Sequence, residues 1–216
     1  MKGFGSVLII GDSYSTFDGY IPEGYSFWYP RMEEKKEETD VENVHETWWY
    51  QLMGETESTL ILNDSFSGST VCSTERESIP GTHFNLRTDR MIQNGFFEKN
   101  KIDTVFVFGG TNDSWIGSPI GEIKYENITE DDIKTVLPAF SALISKLKKA
   151  SPSSRIIPLI NCDLKDEITN GFEEICRHYS LTYIRFESID KIAGHPNREG
   201  MKQIKDIVKK LAEAID

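Results

Sequence analysis

Four well-separated positions supply the groups that nucleophilic acyl transfer requires. Ser13, in the turn Gly11-Asp12-Ser13-Tyr14-Ser15, has a hydroxyl able to attack a carbonyl. His195, in Gly194-His195-Pro196-Asn197, has an imidazole whose ordinary pKa of about 6.5 suits it to accept a serine proton. Asn112, in Gly109-Gly110-Thr111-Asn112-Asp113, offers a side-chain amide donor, and Asp113 can brace the same loop by accepting from backbone N–H groups. Gly68, in Ser65-Phe66-Ser67-Gly68-Ser69-Thr70, lets the backbone approach a ligand and offer its own N–H. Each position also has a plain structural reading. Ser13 can be a helix N-cap, Gly68 part of an ordinary Gly/Ser turn, Asn112 an Asx turn, and His195 a capping histidine. The joint set of hydroxyl, backbone donor, amide donor and imidazole is what favours acyl transfer.

Such groups must be brought together by regular elements. Short apolar runs at Val7–Ile10, Thr59–Leu62, Asp103–Phe108, Arg155–Ile160 and Leu181–Ile184 read as strands. Pro158 inside the fourth suits an edge or a bulge. Helical spacing covers Glu46–Met53, Thr129–Ala150, Asp166–Tyr179 and Asn197–Ala214. Thr129 to Asp132 reads as a capping box opening the second of these, and Pro138 inside it predicts a kink or break. Strands alternating with helices, with strands apolar throughout, imply a parallel sheet covered on both faces. The expected fold is therefore α/β, a three-layer α/β/α sandwich around about five parallel strands, with residues 1–216 forming a single domain. The candidate residues then follow strand ends, where open α/β sheets place their sites. Residues 19–44, rich in Tyr, Trp, Pro and Glu, read as a long functional loop, and the acidic run Glu33–Glu38 as a solvated face.

Composition narrows the function classes. The net charge of −11 over 216 residues disfavours nucleic acid and anionic membranes as partners. Three cysteines (Cys72, Cys162 and Cys176) without a CxxC spacing argue against a disulfide framework and a zinc site. The apolar run Val7–Ile10 is too short for a signal sequence, and no stretch reaches the roughly 20 apolar residues of a membrane span, so a cytoplasmic location is expected. The Gly11–Ser15 turn matches neither G-x-G-x-x-G nor G-x-x-x-x-G-K-[ST], which disfavours a nucleotide binder.

At these positions the sequence resembles the SGNH/GDSL hydrolases. Gly11-Asp12-Ser13 resembles the family's first block, Gly68 the second-block glycine, Gly110-Thr111-Asn112-Asp113 the third block and His195-Pro196 the fifth. The resemblance implies a flavodoxin-like sandwich that hydrolyses an ester, often an acetyl or other short acyl group on a carbohydrate or small molecule, with no metal or cofactor. It implies Ser13 as nucleophile and His195 as base. It further implies an oxyanion hole of the Ser13 N–H, the Gly68 N–H and the Asn112 amide, with Asp12 and Asp113 in support. The family usually has an aspartate three residues before the histidine, where this chain has Ile192. Either Asp190 orients the imidazole, or a backbone carbonyl does and the site is a Ser–His dyad. The departure motivates a second reading, a catalytically degenerate carbohydrate-binding relative. Tyr14, Trp28 and Trp115 are expected to line the substrate site, with Tyr20, Tyr25 and Tyr29 near them, whereas Trp48 and Trp49 read as helix core.

Overall fold

The computed structural model describes residues 3–31, 38–74 and 81–214, with 212–214 described by their backbone alone. Five parallel strands form one sheet: β1 (Ser6–Gly11), β2 (Thr59–Ser65), β3 (Thr104–Phe108), β4 (Arg155–Ile160) and β5 (Ile184–Arg185), in the order β2-β1-β3-β4-β5. A separate antiparallel pair, β6 (Lys191–Ile192) and β7 (His195–Pro196), forms a hairpin just before the last helix.

The central strands are apolar throughout because both of their faces are covered. Leu8, Ile10, Val105, Val107, Ile156 and Ile160 point into one layer. That layer is formed by α2 (Phe84–Gln93), α5 (Val136–Ala150) and α6 (Asp166–His178). The alternate residues Val7, Ile9, Phe106, Phe108, Ile157 and Leu159 point into the other, against α1 (Trp48–Glu55) and α7 (Arg198–Ala214). This is the period-two alternation of a strand buried on both sides. Two short helices, α3 (Phe96–Lys99) and α4 (Thr111–Ile116), complete the set.

Three local outcomes differ from the sequence reading. The Thr129–Asp132 box forms, with Asp132 accepting from the Thr129 N–H at 2.8 Å and Thr129 Oγ accepting from the Asp132 N–H at 3.3 Å. It opens only a 3-10 turn at Asp132–Lys134; α5 starts afresh at Val136. Pro138 is therefore the third residue of α5, where the missing N–H would have had no partner within the helix, and α5 runs unbroken from Val136 to Ala150. The fifth strand is Ile184–Arg185 rather than Leu181–Ile184. Because β5 pairs only from Leu159 onward, Pro158 sits where β4 is still an open edge. Residues 19–43 contain no helix or strand among the described positions. Of the acidic run, only Glu38 falls within the described residues, and it is exposed.

Candidate active site

The site lies at the carboxyl ends of β1, β2 and β3, facing the β6–β7 hairpin. β1 must bring its last residue, Gly11, very close to its neighbours. A Cβ there would fall 2.6 Å from Ser65 Oγ and 3.0 Å from Ser15 Cβ, so only glycine fits without displacement. The chain then turns through a 3-10 helix at Ser13–Ser15, capped by Asp12, whose carboxylate accepts from the Tyr14 N–H at 3.1 Å. Ser13 thus sits at a helix start, and its own N–H is not used by the fold among the described residues.

The loop after β2 brings Gly68 to φ +86°, a conformation that favours glycine, and its N–H is likewise unused among the described residues. Asn112, at the start of α4, donates its amide to the Ser69 carbonyl at 2.9 Å. That bond fixes the amide and leaves its second N–H available. Asp113 braces the same loop as its position suggests, accepting from the Val71 N–H at 2.8 Å and the Cys72 N–H at 3.2 Å. Burial pushes the Asp113 carboxyl above its ordinary range, against the pull of those amides. Burial also pushes Asp12 up to about 7, helped by the nearby Asp113 charge and opposed by the Tyr14 N–H and Arg87.

His195 enters from the hairpin. Its Nε2 lies 2.9 Å from Ser13 Oγ and its Nδ1 3.1 Å from the Ala193 carbonyl oxygen. Since a carbonyl only accepts, Nδ1 carries the proton and the Nε2 lone pair faces the serine O–H. Ala193 and Gly194 have φ of +48° and +78°, the successive positive values of a tight two-residue hairpin, which aims the Ala193 carbonyl back at the ring. Asp190 is therefore corrected as the orienting acid. It is exposed, its backbone carbonyl accepts from Asn197 N–H, and the Ala193 carbonyl occupies Nδ1. Ile192 is exposed on the hairpin.

The aromatic residues distribute unevenly. Tyr14 is fully buried, so it does not line a substrate cleft; its hydroxyl donates to the Gly194 carbonyl at 2.7 Å. Tyr29 is buried too, and its hydroxyl donates to the Pro196 carbonyl at 2.8 Å. These two tyrosines hold the carbonyls on either side of His195. Trp28 stacks flat on the imidazole, with centroids 3.5 Å apart and planes inclined by 9°. Trp115 meets His195 edge-on at 5.5 Å and remains 50% exposed, so it alone of the three expected lining residues combines proximity with an open face. Tyr25 packs on Phe66, and Tyr20 on Phe17, Trp49 and Tyr50. Trp48 and Trp49 are core residues of α1, as expected.

Two supporting groups escaped the sequence reading. Arg87, on α2 and 1% exposed, donates to the carbonyls of Thr82 at 2.7 Å and Gly11 at 3.0 Å. It also reaches Ser69 Oγ at 3.2 Å, the Asp64 carbonyl and the Asp64 carboxylate. One guanidinium thus ties together the segments that carry Ser13 and Gly68. Asn161, at the end of β4, donates to Tyr14 Oη at 3.3 Å and accepts from Lys191 Nζ at 3.2 Å, joining the sheet to the hairpin. Nothing local in the sequence marked either: Arg87 and Asp64 lie 23 residues apart, and Asn161 meets partners from distant parts of the chain. Among the described residues no group of three or more His, Cys, Asp or Glu side chains is placed to hold a metal.

A serine in contact with a histidine, set against unused backbone donors at the ends of parallel strands, is an arrangement able to carry out nucleophilic acyl transfer. The family model for GDSL-like Lipase/Acylhydrolase matches residues 5–212, and the chain belongs to that family of ester-bond hydrolases. Among solved structures, a Bacteroides uniformis protein described as a GDSL-like lipase is 40% identical, with 97% of this chain and 96% of that one covered at a TM-score of 0.85. Its Bacteroides ovatus counterpart, described in the same way, is 37% identical over 97% and 98% at a TM-score of 0.84. A carbohydrate acetylesterase from Sinorhizobium meliloti shares the fold at 14% identity, 98% and 100% coverage and a TM-score of 0.63. Comparison with curated proteins gave no match. Among the described residues no helix is long and apolar enough to cross a membrane.

Proposed function

We propose that this hydrolase cleaves a short acyl ester, an acetyl ester of a carbohydrate or other small molecule, through a Ser13–His195 dyad. The observation that carries the reading is the 2.9 Å contact between Ser13 Oγ and His195 Nε2, with Nδ1 held by the Ala193 carbonyl. In the first half-reaction Nε2 takes the Ser13 proton as Oγ bonds to the ester carbonyl carbon and the carbonyl π pair moves onto its oxygen. The Ser13 N–H, the Gly68 N–H and the Asn112 amide stabilise that oxyanion. Collapse re-forms the carbonyl and breaks the bond to the alcohol oxygen, which takes the proton from His195. Water then repeats the sequence on the acyl-enzyme and releases the acid. No cofactor is needed for this balance.

The exposed ring of Trp115 beside His195 offers an apolar platform on the leaving-group side, suited to a sugar face. The net charge of −11 favours uncharged substrates over nucleic acid or anionic lipid. The test is hydrolysis of 4-nitrophenyl acetate by the wild type, Ser13→Ala and His195→Ala. Both variants are expected to keep the fold and to lose at least about a thousandfold in kcat, the scale seen when a triad member is removed. Near-full activity in either variant contradicts the assignment. Folded wild-type protein that binds but never cleaves glycosyl acetates establishes the degenerate binding relative instead.

A further inference from the structure

We propose that Trp28 is the positioning residue that holds the His195 imidazole in its reactive plane and stabilises the imidazolium formed when it takes the Ser13 proton; the proposal rests on the esterase reading above. Two hydrogen-bonded contacts, Ala193 O at Nδ1 and Ser13 Oγ at Nε2, fix the imidazole within its own plane. Neither opposes tipping of the ring out of that plane. The indole of Trp28, parallel to within 9° and 3.5 Å away, does so.

The backbone that carries the indole is tied to both reacting partners. The Trp28 main-chain N–H donates to Thr16 Oγ at 2.9 Å, and Thr16 Oγ donates to the Ser13 carbonyl at 2.9 Å. The next residue, Tyr29, accepts from the Asp18 N–H at 3.0 Å and clamps Pro196 through its hydroxyl. The Trp28 backbone is thereby registered against the nucleophile turn on one side and the histidine hairpin on the other. Trp28, from the long segment read as a functional loop, contributes this wall to the site rather than a substrate surface.

The electrostatic consequence follows from the acceptor at Nδ1. A backbone carbonyl supplies a dipole where a carboxylate would supply a full charge. The electron-rich face of indole attracts a cation, most strongly when water is excluded, and His195 is only 6% exposed. The interaction strengthens as the proton arrives and so acts on the transition state rather than on substrate binding.

The experiment compares wild type, Trp28→Phe, Trp28→Leu and protein carrying mono-, di- and trifluorinated tryptophan at position 28, all on 4-nitrophenyl acetate. Fluorination withdraws electron density from the ring face and leaves the shape nearly unchanged, so folding is preserved. Trp28→Leu is expected to lower kcat about tenfold to thirtyfold with KM changed by less than about twofold, and Trp28→Phe to retain most of the activity. The rate constant is expected to fall stepwise with each fluorine. Wild-type kcat in Trp28→Leu overturns the proposal, as does a loss shared equally by the Phe and Leu variants with no response to fluorination. If the wild type is no more active than Ser13→Ala, the esterase reading fails first and takes this proposal with it.

Discussion

Ser13 and Asp12 are neighbours with opposite electrical demands. As the proposed nucleophile, the serine needs the positive ends of N–H dipoles around it, yet the residue before it is a fully buried carboxyl. Asp12 Oδ1 caps the turn, and among the described residues no donor reaches Oδ2. Burial, the main cause, raises the carboxyl to about 7, so below that pH it is mostly protonated and adds little negative charge beside Ser13. The linkage has a definite sign. Between the ordinary pKa of 3.8 and about 7, the folded chain keeps a proton that the unfolded chain has released. Stability from this group therefore falls as pH rises through that window. Asp12→Asn retains the acceptor for Tyr14 N–H and removes the titration. The expected result is a wild-type Tm that drops relative to the Asn variant between about pH 4 and 7 and levels off above it. Parallel pH profiles for the two proteins contradict the burial account.

At the scale of elements, α2 matters more than its sequence suggests. Its inward face presents Phe84 and Met91 but also Asn85, Arg87 and Thr88, all buried. That mixture hides the apolar periodicity, so the sequence of residues 84–93 does not show a helical pattern. The same residues give α2 its role, since Arg87 spans the carboxyl ends of β1 and β2. Arg87→Met is expected to cost about 3–5 kcal/mol, because Asp64 is left as a buried charge without its cation. The double variant Arg87→Met/Asp64→Asn is expected to recover part of that loss. Urea unfolding of the single and double variants measures the coupling; additive losses contradict it. The strands β1, β3 and β4 were legible because burial on both faces demands unbroken apolar runs. The start of α5 was misplaced because a capping box reports a turn start, and here the turn ends after three residues.

Across the whole molecule, the chain order of the strand-end loops was the legible part. Ser13, Gly68 and Asn112 each follow a strand of the main sheet, and the fold brings those ends together with His195, which lies in strand β7 of the separate hairpin. The illegible part is what crosses long stretches of chain. The Tyr14 hydroxyl meets Gly194, and that of Tyr29 meets Pro196, across separations of 180 and 167 residues. No local pattern encodes such pairs, and the Trp28 stack belongs with them. The replacement of a carboxylate by the Ala193 carbonyl was visible only as Ile192, an absence whose remedy needed the hairpin geometry.

The central claim is that Ser13 is the nucleophile activated by His195. The most direct measurement is covalent labelling with a fluorophosphonate, which transfers its phosphonyl group to an activated serine hydroxyl with loss of fluoride, followed by peptide mass spectrometry. The expected result is a single adduct on the peptide containing Ser13, lost in Ser13→Ala and slowed by at least about a hundredfold in His195→Ala. An adduct on another serine, or ester hydrolysis that survives with Ser13 unlabelled, contradicts it.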